Sequence, residues 1–527
     1  MWETLRNASA GVLGWFGRAA TGASEAMLNQ SGLPWPPPEE LPRLRRYRRN
    51  YMIYRGRHEA VFVGGYKDEG EVWKYSYDET VEYIAVNFLG RVSKLLASRL
   101  FGEGVRISAP DGADAAQEFL DALYRNEHLE HRNMIAARGA SYRGEAVYKV
   151  WYDAKRKRIR VGTVLPSLWF PEADTMDRSQ IAAHSICQVL TGADGDRDHY
   201  HLWVERHEML DGVGWITNRV YAAEKASSGY RYHPDREIPP DQWRQWPRLE
   251  GLEPEINTGI DDMLVVHVPN IQAEEESFWG QSDYDELLTL QGELNNRWTQ
   301  REDVLDKHTD PPFYGPENAL VVDPDHPGEP ASVRLDEMKY LKIRPDGRAP
   351  AGYITWDGHL ENVENELKEC IDNIAAVIGI DVQAIKPAEG MGPTSGRALR
   401  LGQMNTQTTV GEKRMTFGPA KQRVFSLATK LANARGVQLD GPKPEVLQVS
   451  DIGVHFGDGL PQDVLEDVQV QNERLASGTQ HPVDAIMELD GLSRDDAEDK
   501  YARILAAQAS AVAPAGGIGP VAFASTQ

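Results

Sequence analysis

Cysteine is almost absent from this 527-residue chain: Cys187 and Cys370 stand alone. They have no metal-ligand spacing, so the expectation is free thiols in a reducing compartment, with neither a disulfide framework nor a cysteine metal site. Long apolar runs are missing too. No window offers the roughly 18 uninterrupted apolar residues of a membrane span, and the start of the chain carries Glu3, Arg6 and Arg18 around a short apolar patch, unlike a signal peptide. Nucleotide-binding signatures are also lacking. There is no G-x-x-x-x-G-K-[ST], and the loop Gly390 to Gly396 puts its third glycine one place late for a dinucleotide fingerprint, with no strand of a βαβ unit before it. Positive charge is scarce: 57 Lys and Arg face 80 Asp and Glu, a formal charge of -23. Because affinity for DNA rests on cations that displace counterions, a tight sequence-reading DNA binder is not expected. An acidic enzyme fits that charge, and so does a wall past which DNA slides without being gripped.

What is present is a mixed chain of the α+β class, long enough for two to four domains. Residues 1–30 carry a weak amphipathic stripe of Leu5, Val12, Leu13 and Phe16, read as a helical arm, and a stiff Pro-rich linker follows. The run Arg43 to Arg57 interleaves arginines with tyrosines; it reads either as a contact for nucleic acid or another subunit, or as a helix pairing with acidic neighbours. Helical spacing is expected over Glu79 to Phe101 and Ala113 to Arg125. Period-two hairpins are expected at Ala146 to Tyr152 with Arg158 to Val164, and at Tyr200 to Met209 with Trp215 to Tyr221 around Asp211-Gly212. Residues 224–260 read as loop, and Met263 to Val268 as a strand.

A helix is then expected from Ser282, capped by that residue with Asp285 answering three places on, and carrying Leu287, Leu290, Leu294, Trp298 and Leu305 on one side. The proline-broken interval from His308 to Trp356 reads as a small β-containing lobe at the tip of a helical hairpin. The return helix, Gly358 to Ile378, packs on Leu360, Val363, Leu367, Ile371 and Ile374. At 100° per residue it sets Glu361, Glu369 and Asp372 near the opposite face, with Glu364 and Glu366 at its flanks. That acidic face is either solvated surface or a lining. A Gly-rich loop follows, then a helix with bending points at Gly402, Gly411 and Gly418-Pro419, whose cations Arg397, Arg400, Lys413, Arg414, Lys421, Arg423 and Lys430 contrast with the acidic helix before it. Pro444 to Phe456 reads as a returning strand, three helices follow to about Ala507, and the tail is low in complexity.

Two patterns suggest metals. Asp194, Asp196, Asp198 and Glu205 occupy calcium-loop positions, but His199 stands where the turn needs glycine. His199, His201 and His207 alternate on one face of a strand, which fits either a transition-metal chelate or surface histidines. No catalytic residues, metal site or cofactor is assigned. One alternative is kept: an acidic metal-dependent enzyme processing nucleic acid through the 194–207 cluster.

The order of these elements resembles the portal proteins of long-tailed bacteriophages. It is carried by Asn87 to Ser108 (NFLGRVSKLLASRLFGEGVRIS), Phe119 to Asp153, Leu165 to Asp174, Gly280 to Pro311, the glycine loop, and Gly457 to Gly478. The resemblance implies a portal-type α+β fold. After an N-terminal arm (1–30), a wing would take 31–281 and 436–460, two stem helices 282–307 and 358–380, and a clip 308–357. A tunnel loop would take 381–395, a long kinked helix 396–435, a crown 461–508 and a flexible tail 509–527. It implies no enzyme, but a ring of about 12 subunits at one capsid vertex of the virion, assembled in the host cytoplasm away from any membrane. Double-stranded DNA would pass through it without sequence specificity. The partners implied are the terminase large subunit, then a head-tail adaptor, with major capsid and scaffold proteins around the ring. Glu361, Glu364, Glu369 and Asp372 would line the bore, and Lys386, Glu389, Gly390, Met391, Gly392 and Thr394 would form the tunnel loop.

Overall fold

The computed structural model describes residues 32–63, 66–68, 71–73, 82–191, 199–227, 229–272, 274–309, 313–316, 340–343, 352–353, 360–385, 402–437, 443–457, 464–490 and 494–512. The chain forms two compact units, Met1–Ala388 with Gln403–Gly459, and Glu389–Gly402 with Leu460–Gln527. The expected arm at 1–30 and the tail beyond residue 512 lie outside the described residues, as do Asp194, Asp196 and Asp198.

In the first unit β1 (Leu33–Trp35) leads into α1 (Leu41–Tyr54) and the short α2 (His58–Phe62), then β2 (Tyr66–Asp68) and β3 (Glu71–Trp73). Three helices follow around β4 (Val105–Ser108): α3 (Phe88–Phe101), α4 (Asp114–Asn126) and α5 (Leu129–Arg143). α3 starts nine residues later than the periodicity predicts. Asn87 caps it, its side-chain oxygen accepting from the Gly90 N–H at 2.8 Å, and residues 82–87 before it are not helical, their backbone being gripped by another helix, as described below. α5 carries no clear stripe in the sequence, since the residues it buries include Ala136, Ala137, Gly139 and Ala140.

The hairpin β5 (Glu145–Asp153) and β6 (Arg158–Val164) pairs with β13 (Val265–Pro269) in one antiparallel sheet. A second antiparallel sheet has the order β1-β11-β10-β9-β8-β7, with β12 also on β10. It is built from β7 (Trp169–Ala173), β8 (Ile181–Thr191), β9 (Tyr200–Leu210), β10 (Val213–Ala226), β11 (Gly229–Glu237) and β12 (Glu255–Asn257). The β9–β10 turn is Asp211-Gly212, with φ of 52° and 77°, the doubly left-handed turn that a two-residue hairpin prefers.

Strands β11 and β12 correct the loop expected over 224–260. The register shifts between Tyr221 and Ala223, so that β11 advances from Tyr232 to Glu237 across two residues of β10. The bulge takes up Pro234, which has no N–H to give a ladder. Alternation sends Leu202, Val204 and Tyr221 to a core with Trp35 and Phe170, and Trp203 and Val220 to a second core under Trp243, Trp246 and Leu249.

The main core lies between α3, α4, α5, the β13-β5-β6 sheet and one long helix, α9 (Met404–Arg435). Before α9 come α6 (Leu288–Thr309), a small sheet and α7 (Leu360–Ile378), then α8 (Val382–Ile385). The small sheet places β14 (Phe313–Pro316) parallel to β15 (Tyr340–Ile343) and antiparallel to β16 (Gly352–Tyr353). After α9, β17 (Gly453–Phe456) pairs with β4.

The second unit holds α10 (Val464–Ala476), α11 (Pro482–Asp490) and α12 (Arg494–Val512). Within it Gln471 donates to Glu488 and Lys500 pairs with Asp490. No helix among the described residues is long and apolar enough to cross a membrane.

Candidate functional site

The helices α6 and α7 run antiparallel: Arg297 meets Glu366 at 3.2 Å while Arg301, one turn on, meets Glu364 at 3.3 Å. Between them Leu287, Leu288 and Leu294 share a core with Leu367, Ile371 and Ile374, closed at one end by Ile53, Val61 and Phe62 of α1 and α2. Ser282 does not start α6. Its backbone N–H donates to Asp285 at 3.0 Å and its hydroxyl accepts from the Tyr284 N–H at 3.1 Å, as the expected cap would, but the turn these bonds close extends to Leu287 and the helix begins at Leu288.

Another face of α6 carries Gln291, Asn295 and Thr299, one turn apart, each buried. Gln291 bonds Leu89 N–H and the Val86 carbonyl, Asn295 accepts from Val86 N–H, and Thr299 accepts from Ile84 N–H. These side chains supply the backbone partners that a helix would otherwise provide, and residues 82–87 are correspondingly not helical. Asn295 also donates to His58 Nδ1 at 2.9 Å, leaving Nε2 to donate to the Ile53 carbonyl. Burial holds the His58 ring below its ordinary pKa.

On α7 the apolar stripe is buried and the opposite side is exposed. Glu361 and Glu369 are exposed and Asp372 is half-buried, and none of the three has an ion-pair partner among the described residues. Glu364 differs from them: its charge is shared with Arg301, so it belongs to the α6–α7 seam more than to an open acidic face. Lys368 is also exposed and lies about 20° from Glu361 on the wheel, on the side away from Asp372, a cation on a face expected to be almost purely acidic. Its position was readable from the sequence.

The cations of α9 point elsewhere. Lys413 is buried and its ammonium donates to both Asp283 and Asn270 at 2.7 Å. Arg423 pairs with Asp262 at 2.5 Å, Lys430 with Asp261 at 2.8 Å, and Arg414 donates to the Gly457 carbonyl. Lys421 is enclosed, bonded to Asn133 and 3.5 Å from the Tyr148 ring centre, and burial drives its pKa well below the usual lysine range. α9 is 32 residues long, about 48 Å, contains Pro419, and ends on Gly436 in the left-handed region at φ 61°. Arg397 and Arg400 lie outside the described residues.

Between α7 and α9 lies the segment read as a tunnel loop. Lys386, Glu389, Gly390, Met391, Gly392 and Thr394 lie outside the described residues, but both of its ends are visible. The Asp381 carboxylate accepts from Thr406 N–H at 3.0 Å, from its hydroxyl at 2.9 Å and from Asn405 Nδ2 at 3.1 Å, capping the first turn of α9. In return Asp381 N–H donates to Thr406 Oγ1, and the Thr409 hydroxyl donates to the Gly379 carbonyl. The two ends are thus clamped side by side.

Among the described residues the metal pattern does not assemble. His201 packs edge-on against Trp246, whereas His207 is buried with Nε2 2.6 Å from Glu205. Burial would raise the Glu205 pKa, but Lys149 beside it and the bond from His207 outweigh that and hold it below the usual carboxylate range. Its Oε1 is already engaged by both, and no group of three or more His, Cys, Asp or Glu side chains converges among the described residues. The basic run of α1 divides in two. Arg43 binds Glu40 and the Pro166 and Trp169 carbonyls, and Arg46 approaches Glu145 and Asp285, whereas Arg48 and Arg55 face solvent.

No individually curated protein matches the chain. The family described as phage portal protein, SPP1 Gp6-like, matches residues 38–476. With most of its length covered, from α1 through the paired helices and α9 to α10, this chain belongs to that portal protein family.

Proposed function

We propose that this portal protein forms a ring of about twelve subunits at one vertex of the virion capsid and serves as a conduit for double-stranded DNA during packaging and ejection. In this reading α6 and α7 are the stem, residues 308–357 the clip that docks the terminase large subunit and later the head-tail adaptor, and residues 381–395 the tunnel loop. Major capsid and scaffold proteins surround the ring, and the chain performs no chemistry of its own.

The observation that carries the reading is the open charge of Glu361, Glu369 and Asp372 on α7, set against the internally engaged cations of α9. A wall of that kind repels phosphate and offers it no bound minimum, and within a Debye length of about 8 Å the repulsion survives physiological salt. Lys368 softens the face without reversing its sign.

The test is the triple substitution Glu361→Lys, Glu369→Lys and Asp372→Lys. All three sites lie away from the buried stripe, so the ring is expected to assemble, while packaged DNA per particle falls severalfold because phosphates now find a place to bind. Normal packaging by assembled triple-mutant rings would remove α7 from the bore.

A further inference from the structure

The arginine and tyrosine run that opens the described chain has a part which the conduit leaves unused. On α1, Arg48, Tyr51 and Arg55 are exposed and recur at i, i+3 and i+7, along one side of the helix over about 10 Å. Arg57 continues the line into the turn after the helix.

The N-terminus of α3 abuts this end of α1, because Asn87 Nδ2 donates to the Tyr54 carbonyl at 3.0 Å. Lys94 of α3 stands 6.0 Å from the Tyr54 ring centre, and Arg91 is exposed one turn before it. The adjoining ends of the two helices therefore carry five exposed cations: Arg48, Arg55 and Arg57 from the one, Arg91 and Lys94 from the other. None of the five has an ion-pair partner among the described residues, whereas Arg43 and Arg46 of the same helix turn inward to partners. Glu59 is the exposed acid nearest in sequence, which leaves the patch strongly positive on a chain whose net charge is -23.

We infer that this patch binds the phosphodiester backbone of duplex DNA on a surface separate from the bore. Its composition selects that ligand. A seat for another protein is built on an apolar centre with charge kept to the rim, and on α1 the one exposed large apolar side chain is Tyr51, at 43%. Guanidinium and ammonium donors without a carboxylate among them are what a phosphate backbone recruits. The site reads charge and not sequence, since phosphate contacts position a duplex without specifying it.

The inference does not rest on α7, and the probe keeps the two readings apart. Relaxed closed-circular duplex has no end and cannot thread a channel. Assembled wild-type rings are expected to bind it, with affinity falling about 500-fold between 50 and 200 mM salt when all five cations engage. Arg48→Glu, Arg55→Glu and Lys94→Glu together should abolish that binding while the rings remain intact by native mass spectrometry. The corresponding triple glutamine variant should weaken it and lower the slope of log affinity on log salt by roughly 2.7. Wild-type rings that bind linear but not circular duplex, or equal binding by the triple glutamate variant, would overturn the inference. Loss of the ring in both triple variants would overturn it as well and assign the patch to a neighbouring subunit.

Discussion

The helices on either side of the clamp, α7 and α9, treat charge in opposite ways. α7 buries aliphatic side chains and leaves Glu361 and Glu369 exposed and Asp372 half-exposed. α9 buries or pairs its cations, down to a lysine with a single hydrogen-bond partner and an aromatic face. Two helices of contrasting charge in the sequence therefore do not make two contrasting surfaces. The cations of α9 hold the fold together, whereas Glu361, Glu369 and Asp372 of α7 are left without an ion-pair partner among the described residues.

That difference can be broken most severely at Lys413. Replacing it with methionine strands the Asp283 carboxylate, one of whose oxygens already lacks a partner, so denaturation should show a loss of about 3–5 kcal/mol. Adding Asp283→Leu should recover part of it, because a buried pair replaced by apolar groups is often near neutral, while buried Asn270 still loses the donor it had in Lys413. A loss of under about 1 kcal/mol from Lys413→Met alone would mean that this cation is not structural and would erase the contrast.

A pH series sharpens the same point for buried groups without a countercharge. Burial pushes His267 down to about 3, with Arg43 adding to the effect, and its ring stacks on Trp169 at 4.7 Å. The unfolded chain takes up that proton near pH 6.5 and the folded one does not, so the contribution is complete above 6.5 and is lost as the pH falls toward 3. Thermal melts should decline across that window, and His267→Phe, which keeps the stacking, should flatten the decline. An unchanged pH profile in the variant would show that His267 does not drive it. The smallest effect is expected at the exposed seam: Arg297→Ala and Arg301→Ala should each cost under about 1 kcal/mol, since both pairs are solvent-screened. A larger loss would move Glu364 and Glu366 from the surface into the structural class.

Much of this was legible where the signal is local. The β9–β10 turn follows from Asp211-Gly212, the end of α9 from Gly436, and the buried stripe of α7 from its period. What stayed hidden depends on residues far apart in sequence. Periodicity carries the helix back to Glu79, but Gln291 and Asn295, some 200 residues away, take the backbone groups of Val86 and Leu89, and residues 82–87 are not helical. α5 hides because small side chains pack closely without a hydrophobic stripe, and β11 hides because its proline sits in a bulge. The destination of the α9 cations cannot be read locally either, since Lys413 finds Asp283 130 residues upstream. Within the site, the apolar side of α7 was readable, but the pairing of Glu364 with Arg301 required the antiparallel partner.

The clamp at Asp381 has a consequence for how this part of the chain can vary. With Asp381 and Thr406 bonded to one another, the entry and exit of the intervening segment are held together by groups outside it. Chain closure is then the clamp's task, and each doubling in the length of a flexible insert adds only about 0.6 kcal/mol. Changes of length within residues 386–401 leave the Asp381–Thr406 bonds themselves in place, so the register of the helices that frame the segment is expected to hold.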